Sequence, residues 1–334
     1  MIHIPDTIEI NDDIRRLTSV VCHSLSDVPD IIDTWNEGNV ADVEGYYENA
    51  KINRVYVDRV HVKKAFAEYT AAYNADDPKI KLKIDHTYRV AALCERIAKA
   101  AGMCAYDVEL AWLSGMLHDV GRFEQIKRYN TFSDADSVDH AKFGADLLFK
   151  DGLISTFLNG MVKCTGYKPG ALEDRYSSDG VFLYDRLNKS DMEMLELAIR
   201  CHNMYRIPQG LNRREQAFCN VLRDADKVDI FKVNIDTPLE EIYNTTTEEL
   251  MKSDITDEVL EAFDEEHCIL KAIRRTPADT VIGHVSLAYE LVYDESVRIT
   301  VEQGYLAKLM HFHSDNEETN RKMAMVRELS LIHI

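Results

Sequence analysis

The adjacent residues His118 and Asp119 have side chains that could bind one metal ion together. They follow an apolar run in which Leu110, Leu113 and Leu117 recur at helical spacing and mark a buried face. Neighbouring helical residues lie roughly 100° apart around the axis, with Cα atoms about 3.8 Å apart, so both side chains can bend towards one ion. The second carboxylate oxygen of Asp119 could bridge to another ion. For an isolated pair, the commoner arrangement is a histidine satisfied at the core edge beside a solvated aspartate.

Four further predicted helices each carry a histidine or an aspartate on an apolar face. These residues are His86, His140, His202 and Asp226. Burying an unpaired ionisable group costs about 2–7 kcal/mol or more, so unrelated burial on five segments is improbable. A common metal centre removes this cost because metal ions bind imidazoles and carboxylates together. Four histidines and two aspartates provide enough ligands for two ions, although His140 or His202 alone could be a hydrogen-bonded core histidine.

Other ionisable residues near these positions are expected to have ordinary roles. Asp224 and Asp229, on either side of Asp226, are predicted to be solvated. The remaining histidines are predicted to be structural; they are His3, His23, His61, His267, His284, His311, His313 and His333.

The composition is that of an ordinary globular protein with many helices. Of 334 residues, 46% are hydrophobic and 29% are charged, and only 7 are proline and 14 glycine. The net charge of −19 argues against a general nucleic-acid surface, which requires clustered Lys and Arg. An anionic small substrate would need a local basic pocket within this acidic molecule.

The sequence also predicts a reduced, cytoplasmic protein. Its 7 cysteines include no CxxC pair, which is typical of free thiols. The N-terminus lacks a basic region followed by an apolar core, so no signal peptide is expected. No uninterrupted apolar run approaches the ~18 residues of a membrane span.

Local signals predict several helix boundaries. One helix is expected to start near Lys83, and Ser137 is a favourable N-cap for the helix that carries His140. Thr276-Pro-Ala-Asp combines a cap residue, a proline at the first helical position and an acid three residues after the cap. Residues 166–188 are rich in Gly, Tyr, Ser and Asp and are predicted to form a long excursion.

The ordered motifs resemble the HD-domain superfamily of metal-dependent phosphohydrolases. The motifs are His86, then His118-Asp119, then Asp226 within Asp-Ala-Asp-Lys-Val-Asp. The resemblance spans about residues 61–235 and implies an all-α helical bundle with the metal centre between helices. The predicted organisation is therefore an N-terminal appendage of unknown role at 1–58, an HD-type domain with C-terminal helices at 59–315, and a charged tail or helix at 316–334.

The added His140 and His202 resemble the six-ligand, two-metal branch of this superfamily. In its cyclic di-GMP phosphodiesterases two histidines stand together, whereas here Asn203 follows His202, and Arg206-Ile-Pro-Gln-Gly replaces the Gly-Tyr-Pro signature. Val120-Gly121 follows Asp119, where alarmone hydrolases have Glu-Asp. These departures argue against both specificities and leave the substrate open.

The resemblance implies roles for individual residues. The ligands of a first divalent ion would be His86, His118, Asp119 and Asp226, and those of a second would be Asp119, His140 and His202. The sequence does not distinguish iron, manganese, magnesium or zinc, nor one ion from two. Arg122 is the first choice for binding the phosphate because a guanidinium pairs with phosphate through two hydrogen bonds. Arg206 and Lys227 are further candidates, and solvated surface charges are the alternative for each.

The predicted function is hydrolysis of a phosphate mono- or diester, most simply a nucleotide, by a metal-activated hydroxide. The catalytic residues would be Asp119 and Arg122. The alternatives are a di-iron oxygenase with the same ligand set and a non-catalytic nucleotide-binding scaffold. The expected partner is a small phosphorylated molecule, and association into a homo-oligomer is left open.

Overall fold

The computed structural model describes residues 57–74, 76–158, 163–164, 182–183, 189–243 and 245–333. Most of the predicted appendage at 1–58 and of the excursion at 166–188 lies outside the described residues.

The described chain is all-α, as predicted. Its first half contains α1 (Arg59–Thr70), α2 (Pro78–Ala100), α3 (Ala105–Leu117), α4 (Val120–Tyr129), α5 (His140–Ala145), a π-helix (Asp146–Lys150) and α6 (Ile154–Leu158). Its second half contains α7 (Lys189–Cys201), α8 (Arg213–Asp236), α9 (Leu239–Tyr243), α10 (Thr247–Lys252), α11 (Asp257–Asp264), α12 (Pro277–Val285), α13 (Asp294–Gln303), α14 (Tyr305–Met310) and α15 (Glu317–His333), with 3₁₀ turns at Lys271–Ile273 and Ser286–Glu290. Between the halves, β1 (Lys163–Cys164) pairs antiparallel with β2 (Phe182–Leu183), Lys163 opposite Leu183.

Two glycines allow the helices that carry the ligands to approach closely. A Cβ on Gly115 of α3 would lie 2.6 Å from Cα of Ala91 in α2. A Cβ on Gly121 of α4 would lie 2.5 Å from the carbonyl oxygen of His140 and 2.7 Å from the backbone nitrogen of Gly144. Real Cβ atoms do not approach this closely, so glycine at both positions permits the two helix crossings.

Two hydrophobic cores meet along α8, which has 24 residues. The first core buries residues of α1 to α8, including Phe218 and Leu222. The second core includes Phe231 and buries residues of α10, α11, α12, α14 and α15, among them Met323 and Val326, whereas Ile299 of α13 belongs to the first core. Because α8 belongs to both cores, it connects the ligand-bearing helices to the C-terminal ones.

Two predicted helix starts were wrong and one was confirmed. Helix α2 begins at Pro78 rather than near Lys83, because Asp77 accepts a hydrogen bond from the Lys79 backbone N–H and proline suits the first helical position. The Thr276 capping box forms as predicted.

The helix carrying His140 is capped by Asp139 and not by Ser137. The hydroxyl of Ser137 instead accepts a hydrogen bond from the Gln125 side chain, 2.9 Å away. This tertiary contact competes with the local cap.

None of the helices in the described ranges is long and apolar enough to cross a membrane.

Candidate metal centre

The six predicted metal ligands come from separate parts of the fold and meet at one place. They are His86 in α2, His118 at the end of α3, Asp119 between α3 and α4, His140 at the start of α5, His202 just after α7, and Asp226 in the middle of α8. All are buried except Asp226, whose side chain is 15% exposed. The prediction that His118 and Asp119 share one helix was wrong, because α3 ends at Leu117 and α4 starts at Val120.

Asp119 lies between two pairs of histidines. Its Oδ2 is 3.5 Å from Nε2 of both His86 and His118. Its Oδ1 is 3.6 Å from Nε2 of His140 and 3.8 Å from Nε2 of His202. Each oxygen therefore faces one pair, as expected of a carboxylate that bridges two ions.

Within each pair the two Nε2 atoms lie within hydrogen-bonding distance of each other. They are 3.3 Å apart between His86 and His118, and 3.1 Å apart between His140 and His202. Oδ1 of Asp226 completes the first group, 3.2 Å from Nε2 of His86. Two buried groups could hold a metal ion with ligand atoms within 4.8 Å of one another: His86, His118 and Asp119, and Asp119, His140 and His202.

The Nδ1 atoms of two of these histidines contact backbone carbonyl oxygens. Nδ1 of His118 is 2.7 Å from the oxygen of Gly115, and Nδ1 of His202 is 2.7 Å from that of Ile199. A carbonyl oxygen can only accept, so Nδ1 carries the proton and Nε2 presents its lone pair to the centre.

The other two histidines use carboxylates in the same way. Nδ1 of His86 is 2.6 Å from Oδ2 of Asp229, and Nδ1 of His140 is 2.7 Å from Oδ2 of Asp134. Such contacts orient metal-binding histidines and make their free nitrogens more basic. Oδ1 of Asp119 is buried and has no hydrogen-bond partner within the described part of the chain. The facing lone pairs and this carboxylate oxygen fit one or two cations.

The electrostatics keep the centre ready to bind cations. Burial alone would raise the pKa of Asp119, but Lys83, the histidines and Arg122 hold it well below its usual range. Burial lowers the pKa of His118 to about 4 and that of His140 to about 3, so both are neutral near pH 7. For His86, burial and Lys83 lower the pKa, but hydrogen bonds to Asp226 and Asp229 raise it above its usual value.

Lys83 was not identified from the sequence, where it marked only a predicted helix start. Its Nζ donates to Oδ2 of Asp119 at 2.7 Å. It lies three residues before His86 in α2, a spacing that places both on one helix face and could have identified it.

The prediction that Asp224 and Asp229 are solvated was wrong. Asp229 is 2% exposed and accepts hydrogen bonds from His86 and from Arg89 Nε, the latter at 2.6 Å. Asp224 is fully buried and accepts from the backbone N–H groups of Val292 and Tyr293 at 2.9 and 3.0 Å. Both carboxylates are satisfied by partners far away in sequence.

Arg122 lies at the centre but is partly committed to internal contacts. Its Nη1 donates to Gln125 Oε1 at 2.8 Å, to the Phe132 carbonyl at 2.8 Å and to Asp134 Oδ1 at 2.9 Å. Its Nε is buried, lies 3.7 Å from Asp119 Oδ1, and has no hydrogen-bond partner in the ranges described.

A cavity of about 430 Å³ adjoins the metal ligands, which is within the usual range for small-molecule sites. Six cationic residues and three carboxylates line it; they are Lys83, Arg122, Arg223, Lys227, Lys271 and Arg274, with Asp119, Asp226 and Glu290. A local excess of positive charge thus exists within a chain of net charge −19.

The cavity includes Lys227 but not Arg206 among its lining residues. Burial, followed by repulsion from Arg223, lowers the pKa of Lys227 to about 8. Arg206 is 58% exposed and is not a lining residue itself, although it donates at 2.7 Å to Glu290, which is one. The sequence did not identify Lys271 and Arg274 as lining residues. His284, which was expected to be structural, also lines the cavity.

Residues 84–231 match the model of the HD domain family. The match contains all six predicted ligands and lies within the span of the predicted resemblance. An HD domain is typical of the superfamily of metal-dependent hydrolases. No curated protein and no solved structure matched the chain.

Proposed function

The chain contains an HD domain at residues 84–231, and from this premise we propose that it is a metal-dependent phosphohydrolase acting on a phosphate mono- or diester, most simply a nucleotide. The observation that carries the proposal is the position of Asp119. One of its oxygens faces His86 and His118, and the other faces His140 and His202.

In the proposed site, His86, His118, Asp119 and Asp226 would hold the first divalent ion. Asp119, His140 and His202 would hold the second. Divalent ions bound here would supply a water nucleophile that is active near neutral pH and would polarise a phosphoryl oxygen. Lys83 keeps Asp119 anionic through its 2.7 Å contact.

Two cationic residues of the cavity lining, Arg122 and Lys227, are proposed to contact the substrate. Arg122 Nε and Lys227 Nζ are buried in the cavity lining, and neither has a hydrogen-bond partner in the part of the chain that the structure describes. A phosphate oxygen would satisfy either donor. The role predicted for Arg206 is not part of this proposal, because Arg206 lies outside the lining.

The first experiment measures the metal content of protein purified without chelator, for the wild type, Asp119→Ala and the matched control Asp136→Ala. Asp136 is an exposed aspartate that is not among the predicted ligands. We expect up to two ions per chain in the wild type and the control, and loss of both in Asp119→Ala. Absence of metal even after reconstitution would contradict the proposal.

Activity is then assayed against nucleotides and other phosphate mono- and diesters with manganese, iron, magnesium or zinc. We expect metal-dependent release of phosphate or nucleoside, reduced at least ~100-fold in Asp119→Ala, since this residue is proposed to bind both ions. Oxygen consumption without phosphate release would instead indicate a di-iron oxygenase. Ligand binding without turnover in any metal would indicate a scaffold.

A further inference from the structure

Three residues that line the side of the cavity next to the C-terminal helices each have a buried nitrogen atom without a hydrogen-bond partner among the described residues. These atoms are Nζ of Lys227, Nε of Arg274 and Nδ1 of His284. A buried polar atom that is left unpaired costs stability, so native proteins rarely keep several together without a ligand or water.

The Arg274 guanidinium is held in place by its surroundings. Its Nη2 donates to the carbonyl oxygens of Ile269 and Gly283. A Cβ on Gly283 would lie 2.2 Å from Cζ and 2.3 Å from Nε of Arg274, so only glycine leaves room for the guanidinium here. The buried Nε atom of this lining residue has no acceptor in the described ranges.

The nearby carboxylates are engaged elsewhere. Glu290 accepts from Arg206 at 2.7 Å, and Asp279 accepts from the backbone N–H groups of Thr256 and Arg275 at 2.8 Å. Within the described ranges, no salt bridge joins Lys227 or Arg274 to a carboxylate. In the part of the chain that the structure describes, the positive charges of Lys227 and Arg274 are therefore not paired directly with a carboxylate.

We propose that Lys227, Arg274 and His284 form a second anion subsite, distinct from the metal centre, that binds a second phosphate group of the substrate. The proposal rests on the proposed function, in which the first phosphoryl group is at the metal ligands. Because one cavity is lined both by the ligands and by these three residues, a single small molecule can contact both. The expected substrate class is a bisphosphorylated small molecule rather than a simple phosphomonoester.

Binding of inorganic phosphate to the full-length protein, measured by isothermal titration calorimetry, tests the subsite. We expect two phosphate ions per chain in the metal-loaded wild type and one in Arg274→Met. The matched control is Arg275→Met, because Arg275 is the next residue, is 69% exposed and pairs with Glu258 on the surface. It should keep both ions.

A second variant guards against misfolding of Arg274→Met. Lys227→Met removes a charge that has no partner in the described structure, so it should fold, which circular dichroism would verify. It should weaken binding of the same phosphate at least tenfold. If Arg274→Met and Arg275→Met changed phosphate binding equally, the subsite would be overturned. It would also be overturned if removal of the metal by a chelator were the only change that abolished phosphate binding.

Turnover separates failure of the subsite from failure of the proposed function. We expect Arg274→Met to reduce kcat/KM for a nucleoside bisphosphate at least tenfold more than that for p-nitrophenyl phosphate. Equal reductions for both substrates would overturn the subsite and leave the hydrolase proposal intact. Phosphate binding that depends on Arg274, without turnover of any phosphoester, would overturn the hydrolase and leave an anion-binding cavity.

Discussion

At the scale of single residues, the second contact of each histidine decides what the cluster can do. In His118 and His202 a backbone carbonyl accepts from Nδ1, which leaves Nε2 as a ligand atom. In His140 this contact is made by Asp134, which also accepts from Arg122. One carboxylate outside the ligand set thus positions a ligand and a candidate phosphate-binding residue together.

Asp134→Ala is expected to weaken the second metal site selectively. Loss of the 2.7 Å contact frees the His140 ring to rotate and to adopt the neutral tautomer that carries its proton on Nε2. Loss of such a supporting carboxylate typically lowers metal affinity or activity by about 10–100-fold. Elemental analysis should show a fall from two ions per chain towards one, with Asp136→Ala as control. Unchanged content of both ions would contradict this assignment of Asp134.

His284 should make stability depend on pH. Burial, with Arg274 and Lys271 nearby, lowers its pKa from 6.5 to about 3. The unfolded chain therefore binds this proton more readily than the folded one. The stabilisation is fully present above about pH 6.5 and is lost as the pH falls towards 3.

The matching experiment is urea unfolding of wild type and His284→Asn at pH 7 and pH 5. Between these values the wild type should lose about 1–2 kcal/mol from this residue, because one pKa unit corresponds to about 1.4 kcal/mol. The variant should lose correspondingly less. An identical loss in both proteins would show that the His284 pKa is not depressed.

At the scale of elements, close helix crossings bring the ligands together. Gly121 in α4 contacts the start of α5 so closely that a Cβ would clash with backbone atoms of His140 and Gly144. Backbone atoms cannot move aside as the end of a flexible side chain can. The position of His140 relative to Asp119 therefore depends on this glycine.

Gly121→Ala should destabilise the fold by about 1–3 kcal/mol and lower metal content at the second site. Gly144→Ala serves as the graded comparison, because its Cβ would meet Gly121 atoms only at 3.0 and 3.4 Å. Its effect should be smaller in both thermal unfolding and elemental analysis. A larger effect of Gly144→Ala would contradict the crossing geometry.

At the scale of the whole molecule, the acidic chain encloses a basic cavity between its two cores. Helix α8 contributes to both cores and carries the candidate ligand Asp226 and Lys227, which both line the cavity. The family match ends at residue 231, yet Lys271, Arg274 and His284 come from beyond it. The C-terminal helices thus belong to the candidate substrate site.

Removal of metal should lower the stability of the entire chain. Without cations, the Nε2 atoms of four histidines and the Asp119 carboxylate face one another in a buried space. A ligand at 100 times its dissociation constant stabilises the folded state by about 2.7 kcal/mol. Chelator should therefore lower the Tm in differential scanning calorimetry, and added metal should restore it, whereas Asp119→Ala should not respond. If the Tm of Asp119→Ala changed as much as that of the wild type, the metal would bind at a site that does not include Asp119.

Helical periodicity and residue types were enough to predict the helical class and the residues that converge at the centre. Helical periodicity is a local property, so it indicated that His86 and Asp226 face inward. Local chemistry likewise predicted the Thr276 capping box, although the same reasoning chose Ser137 over Asp139 because it could not include the contact with Gln125.

Only the tertiary structure decided which groups support those ligands and which donors lie near them. Asp229 was expected in solvent, yet it contacts His86 across 143 residues of sequence. Arg274 and His284 join the cavity only because the second core packs along α8. Such contacts depend on how distant helices pack, and a single sequence carries no local pattern that specifies them.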